Sequence, residues 1–166
     1  MRPITLVLAL VCGALLLGVS SAAHAEEVWR DDVRGDAPAA IDARGARYTH
    51  GENRVTVVAK LPKLGGVGQA ALSISRFTIF EAGYVALITK QAGEKPRVRL
   101  TFFDHFKLNP AKCSSISGAW GDGRIKLSVA RTCLLGHARE MIYVRFGIQR
   151  GSKVDRVPAV EQLARS

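Results

Sequence analysis

The chain of 166 residues is 48% hydrophobic, 23% charged and 7% aromatic, with a formal net charge of +10 and a sequence pI near 10.1. Such a composition fits one ordinary globular domain and excludes a wholly disordered chain. The single strongly apolar stretch lies at the extreme N-terminus, which excludes a polytopic membrane protein.

Arg2 supplies a short positive region, Ile4 to Val19 an apolar core, and Ala23-His24-Ala25 a small-x-small ending. This pattern predicts a secretory signal peptide over residues 1–25, cut after Ala25. An uncleaved anchor fits less well, because the apolar core is short for a bilayer span and runs directly into a cleavage-like site. Cys12 sits in mid-core without a small residue before it, which argues against a lipoprotein.

What remains, 26–166, reads as one exported and still strongly basic domain. It is expected outside the cell, either free or associated with the cell wall. A positive balance favours adhesion to anionic matter, so the expected partners are an anionic wall polymer, a glycan or an extracellular protein; nucleic acid is not expected. The ordinary alternative is that the charge serves solubility alone. Cys113 and Cys133 are the two cysteines left, and in an oxidising space they predict one structural disulfide. Without a CxxC or a histidine pair they do not form a zinc site.

Hydrophobic period two dominates from Arg44 onward, which sets the class as all-β. A weak strand is expected at Ala46 to His50. Val55, Val57, Ala59 and Leu61 then alternate with Thr56, Val58 and Lys60 until Pro62 and Gly65-Gly66 end the run. Ile74 to Phe80 reads as a strand broken by Gly83, with Tyr84 to Thr89 returning as its hairpin partner. Gln91 to Lys95 makes the next turn. Val98, Leu100 and Phe102 alternate with Arg97, Arg99 and Thr101, placing the arginines in water. Ile116 to Trp120 and Ile125 to Val129 form a hairpin around Gly121-Asp122-Gly123. Ile142, Val144, Phe146 and Ile148 face away from Met141, Tyr143 and Arg145. Seven or eight short strands in this pattern predict an antiparallel β-sandwich, jelly-roll or immunoglobulin-like. Val157 to Ser166 reads as a short helical turn or a frayed tail.

Asp31-Asp32-Val33-Arg34-Gly35-Asp36, with Asp42 beyond it, concentrates carboxylates in a basic protein. Hard cations want several oxygen ligands, so Asp32, Asp36 and Asp42 are candidate calcium ligands, joined by Asp155 if the C-terminal segment packs beside the N-terminus. The spacing is not that of an EF-hand, and the competing reading is a solvated turn whose carboxylates cap backbone amides. Arg97, Arg99, Lys126 and Arg145 form a candidate positive sheet face with Tyr143 as stacking area, suited to an extended polyanion. Solvent-facing strand positions also carry such residues simply to prevent edge association. Trp120 beside its glycine turn is either a sugar platform or a core or rim residue. His50, His105 and His137 show no metal-pair spacing. Asp104-His105 lacks any nucleophile elbow, and dinucleotide and phosphate-loop signatures are absent, so no catalysis is expected.

Asp32-x-x-Gly35-Asp36 with Asp42, followed by His50-Gly51 and Arg54-Val55-Thr56-Val57-Val58, resembles the start of small secreted β-rich proteins of actinomycete bacteria, a family of unknown function. Val129-Ala130-Arg131-Thr132-Cys133-Leu134 is similar to their Val-Pro-Arg-x-Cys-Leu element, and Val154-Asp155 with Pro158 to their closing Asp-x-x-Pro. Ala130 replaces the usual proline, and Ala43 the usual isoleucine after the aspartate. The resemblance implies a secreted β-sandwich with one disulfide and supplies no activity. The expected function is thus non-enzymatic binding of an anionic polymer, glycan or protein partner, with a structural calcium. The alternative is a secreted enzyme inhibitor, presenting the loop closed by Cys113 and Cys133, or a hydrolase of unrecognised type.

Overall fold

Alternation of apolar and polar residues builds the core directly. In β3 (Arg54–Lys60) Val55, Val57 and Ala59 are fully buried, as are Ile125, Leu127 and Val129 in β9 (Arg124–Ala130). β10 (Met141–Arg150) buries Ile142, Val144, Phe146 and Ile148 in the same way. Each of the valine, leucine, isoleucine and phenylalanine side chains among them contributes about 1.5–3 kcal/mol on leaving water. The computed structural model describes residues 26–76, 81–105, 107–137 and 140–165; the expected signal peptide lies outside them.

Two antiparallel sheets stack into a β-sandwich. The five-stranded sheet has the order β1-β2-β3-β9-β8, where β1 is Glu26–Asp31, β2 Gly45–His50 and β8 Ile116–Gly121. The seven-stranded sheet runs β11-β10-β4-β5-β6-β7, with β12 also paired to β10. Its further members are β4 (Gly68–Ser75), β5 (Ala82–Lys90), β6 (Arg97–Asp104), β7 (Lys107–Pro110), β11 (Lys153–Arg156) and β12 (Val160–Ala164).

The described residues thus hold twelve strands rather than seven or eight. β1, β7 and β11 are short and mostly exposed, so they carry little of the alternation by which strands are recognised. The tail expected to be helical or frayed is the strand β12. Its buried residues Val160 and Leu163 are three apart, a helical spacing, because a register shift sets them opposite Val144 and Ile142 of β10. The strand expected at Ile74 to Phe80 is β4, which begins at Gly68 and ends at Ser75; residues 77–80 lie outside those described. Gly83 does not break its strand. It lies inside β5, where a Cβ would sit 2.3 Å from the Ile74 carbonyl oxygen, so glycine permits the close approach of the β4–β5 hairpin.

β11 and β12 share one edge of β10, at Gly147–Arg150 and Met141–Val144 respectively. Between these stretches the Phe146 N–H donates to the Tyr48 hydroxyl, 2.9 Å away and carried by the opposite sheet. The chain crosses from sheet to sheet after β3, after β7 and after β9. Cys113 lies in the second crossing, Cys133 in the 3-10 turn (Arg131–Cys133) that begins the third, and they form the expected disulfide. At the other end the Leu61 N–H donates to the Gly123 carbonyl, and the Trp120 indole to the Gly65 carbonyl at 2.8 Å. Trp120 is a half-buried residue packed on the core, the second of its two expected roles.

Two costs follow for the fold. Cys133→Ala should lower the unfolding free energy by about 3 kcal/mol through the lost constraint on the unfolded chain, seen as a lower urea midpoint. Tyr48→Phe should cost about 1–3 kcal/mol by stranding the Phe146 N–H, with the same readout.

Candidate functional site

The carboxylates gather where the β1–β2 connection meets β11. Asp155 sits opposite Ile148 and shares its inward face, so its side chain is almost fully buried and its Oδ2 accepts the Ala43 N–H at 2.8 Å. One ligand atom each from Asp32, Asp36 and Asp155 falls within 4.8 Å of the others. Asp32 Oδ1 accepts the Val33 N–H at 3.0 Å, while its Oδ2 is buried with no hydrogen-bond partner among the described residues. Burial first, and then the Asp155 charge, push the Asp32 carboxyl up to about 6. Asp155 is also raised by burial, against the lowering effect of the Ala43 N–H.

Asp42 stands apart from this group. Its Oδ1 accepts the Gly35 N–H at 2.9 Å and its Oδ2 pairs with Arg44 at 3.5 Å, so it serves the loop as a turn-capping carboxylate. Of the four expected carboxylates, three are brought together and Asp42 is not among them. Three carboxylates held this close repel one another, and either a proton or a hard cation relieves the repulsion; a calcium ion would take further oxygens from backbone or water.

Strand register sorts the basic residues. On the outer face of the seven-stranded sheet, Arg99 is opposite Leu87, Leu87 opposite Ala71, Ala71 opposite Gly147 and Gly147 opposite Arg156. One row thus runs from an arginine on β6 to an arginine on β11, with small residues at its centre. Arg97 with Gln69 and Gln149 occupies the row on one side, Arg145 with Ser73 the row on the other. Tyr143 shares the face opposite the fully buried Ser75, and is itself half-buried. A hollow of about 210 Å³ lies over the centre, lined by Ala71, Ser73, Leu87, Arg145, Gly147 and Arg156 among others. Arg97 is paired to Glu94 at 3.0 Å.

Lys126 does not belong to this face. Its Cα partners are Val58 and Ala119, on the outer face of the five-stranded sheet, so the expected cations divide between the two outer sides of the sandwich. Arg156 was missed in the sequence because β11, only four residues long, has no readable alternation.

The histidines occupy three separate settings. His50 is fully buried on β2, its Nδ1 3.1 Å from the Leu163 carbonyl, and burial lowers its pKa. His105 is exposed, with Nδ1 2.6 Å from Asp104 Oδ1. His137 stands edge-on to Tyr84 and Phe102, both ring centroids 5.6 Å away, and is likewise lowered by burial. The chain between Cys113 and Cys133 is mostly the β8–β9 hairpin, integrated into the five-stranded sheet. No described helix is long and apolar enough to cross a membrane. The chain matches no family model, no curated protein and no solved structure.

The aspartate cluster has a pH signature. With a folded pKa near 6 against 3.8 for the ordinary group, Asp32 holds a proton in the folded state that the unfolded chain has released, so its contribution to stability falls as pH rises from about 4 to about 6. Urea midpoints in chelator, wild type minus Asp32→Asn, should decline across that window and level off above it.

Proposed function

We propose that the protein is an exported, wall-associated and non-enzymatic module that binds a linear phosphate-bearing polymer across the outer face of its seven-stranded sheet. The observation that carries this reading is the row from Arg99 to Arg156, in which Leu87, Ala71 and Gly147 form an apolar floor between cationic ends. Neighbouring strands are about 4.8 Å apart, so the two arginine-bearing strands, four spacings apart, frame a trough about 19 Å wide. Arg145 lines it at the centre, and Gln69, Thr89 and Gln149 offer hydrogen-bonding groups along one flank. The overall charge of +10 and the Cys113–Cys133 disulfide support an extracellular setting, as does the resemblance to secreted actinomycete proteins. In the same reading Asp32, Asp36 and Asp155 hold a structural calcium ion that joins the β1–β2 connection to β11.

Binding of a poly(glycerol phosphate) chain, followed by calorimetry, should weaken on the order of tenfold or more between about 50 and 200 mM salt if some three phosphates are neutralised. Arg99→Glu combined with Arg156→Glu should abolish it without changing the melting temperature. Binding indifferent to salt or to these substitutions would overturn the trough as the binding surface. The calcium element is tested separately: at pH 7.5 the melting temperature should rise with calcium concentration, and Asp36→Asn should remove the rise.

A further inference from the structure

The outer face of the five-stranded sheet carries a second and different arrangement. Trp29, Arg47, Val58, Lys126 and Ala119 succeed one another across its five strands, and Gly45, Lys60 and Arg124 lie in the adjacent row. Trp29 leans over Gly45: a Cβ added there would come within 2.6 Å of the indole Cζ2 and 2.4 Å of the Arg30 carbonyl oxygen. Gly45 has φ +139°, and its missing side chain lets the ring approach the strand closely. The indole N–H donates to Asp31 Oδ1 at 2.8 Å, which fixes the ring's orientation while leaving the residue 40% exposed. Beside it opens a hollow of about 520 Å³ lined by Trp29, Arg47, Val58, Lys60 and Arg124.

Charge is distributed unevenly over this surface. On the β1 side, Glu27 is paired with Arg47 at 3.3 Å, and Asp31 accepts the indole N–H through Oδ1 while keeping its negative charge. On the β3–β9 side, Lys60, Arg124 and Lys126 are exposed, and no ion pair or side-chain hydrogen bond to a described residue engages them. A ligand fitting both halves needs a flat apolar surface for Trp29 and Val58 and a carboxylate close beside it for the cations.

We propose that this hollow binds a carboxylate-bearing pyranose, a uronic acid unit of an acidic glycan. The C–H face of the sugar lies on Trp29 and Val58, and its carboxylate meets Lys60 and Arg124. A guanidinium is matched to a carboxylate by charge and by its two-pronged geometry. The volume falls in the range of about 300–1,000 Å³ usual for small-ligand sites and accommodates more than one ring. Single-stranded nucleic acid is the weaker match, because such sites stack successive bases on successive aromatic rings and Trp29 is the one aromatic side chain among the described residues that line this hollow. The site is independent of the trough on the other sheet.

The test is tryptophan fluorescence of the chain from Glu26 onward, titrated with α-1,4-linked trigalacturonate, maltotriose and a thymidine oligonucleotide. Trigalacturonate should change the emission saturably, and still do so in Trp120→Phe, which leaves Trp29 as the reporter. Lys60→Glu with Arg124→Glu, both at exposed positions, should weaken binding roughly tenfold or more, whereas Arg99→Glu with Arg156→Glu should leave it unchanged. Trp29→Ala should abolish binding measured by calorimetry, with its melting curve recorded alongside. Absence of a trigalacturonate response, equal binding of maltotriose or the oligonucleotide, or indifference to reversal at Lys60 and Arg124 would each overturn the proposal.

Discussion

Two stacked sheets keep their register only if the connections between them are held, and this chain crosses the gap three times. Two of those crossings, after β7 and after β9, are joined covalently by Cys113 and Cys133 at one end of the sandwich. The remaining crossing, after β3, is tied at the other end by hydrogen bonds from Leu61 to Gly123, from Gly65 to Ala40 and from Trp120 to Gly65. The inner faces supply the cohesive free energy without direction; the ties decide which residue meets which. Both cationic faces are sets of residues aligned across strands, so each inherits its geometry from these fastenings.

The distribution of charge follows the same architecture. Carboxylates that approach one another do so at the seam between the β1–β2 connection and β11, where Asp155 is turned inward by strand register and compensated in part by the Ala43 N–H. Cations are held on the two outward faces, one built around small residues and the other around a tryptophan. A basic protein thus presents two chemically distinct positive surfaces on opposite sides, while Asp32, Asp36 and Asp155 meet at the seam between them.

Sequence periodicity was most informative where one face of a strand is fully buried. Val55, Val57 and Ala59, Ile125, Leu127 and Val129, and the four apolar residues of β10 all lie as their alternation indicated. It failed at β4, where the outward residues Ala71 and Ser73 are too small to contrast with the inward Ala70 and Leu72, and at β12, where a register shift imitates helical spacing. Asp32 and Asp36 were recognisable as a pair, Asp155 joined them only on the condition that the C-terminal segment packs beside the N-terminus, and Asp42 was not separable because its proximity in sequence says nothing of its pairing with Arg44. Arg97, Arg99 and Arg145 share a face as their alternation suggested. Lys126 could not be assigned to a sheet at all, since the sheet to which a strand belongs depends on long-range pairing that local pattern does not contain. Trp29 escaped notice for the same reason: its ring is seated over Gly45, sixteen residues away and diagonally across in the next strand, opposite Asp31.

The hydrogen bond from Phe146 to Tyr48 belongs to neither ladder. Its donor sits in one layer and its acceptor in the other, at the point where β12 has ended and β11 has not begun. Deuterium uptake at that single amide therefore measures separation of the layers, whereas amides within β10's ladders report the fraying of strands inside one layer. The molecule carries its own gauge for distinguishing the parting of two intact sheets from the melting of either.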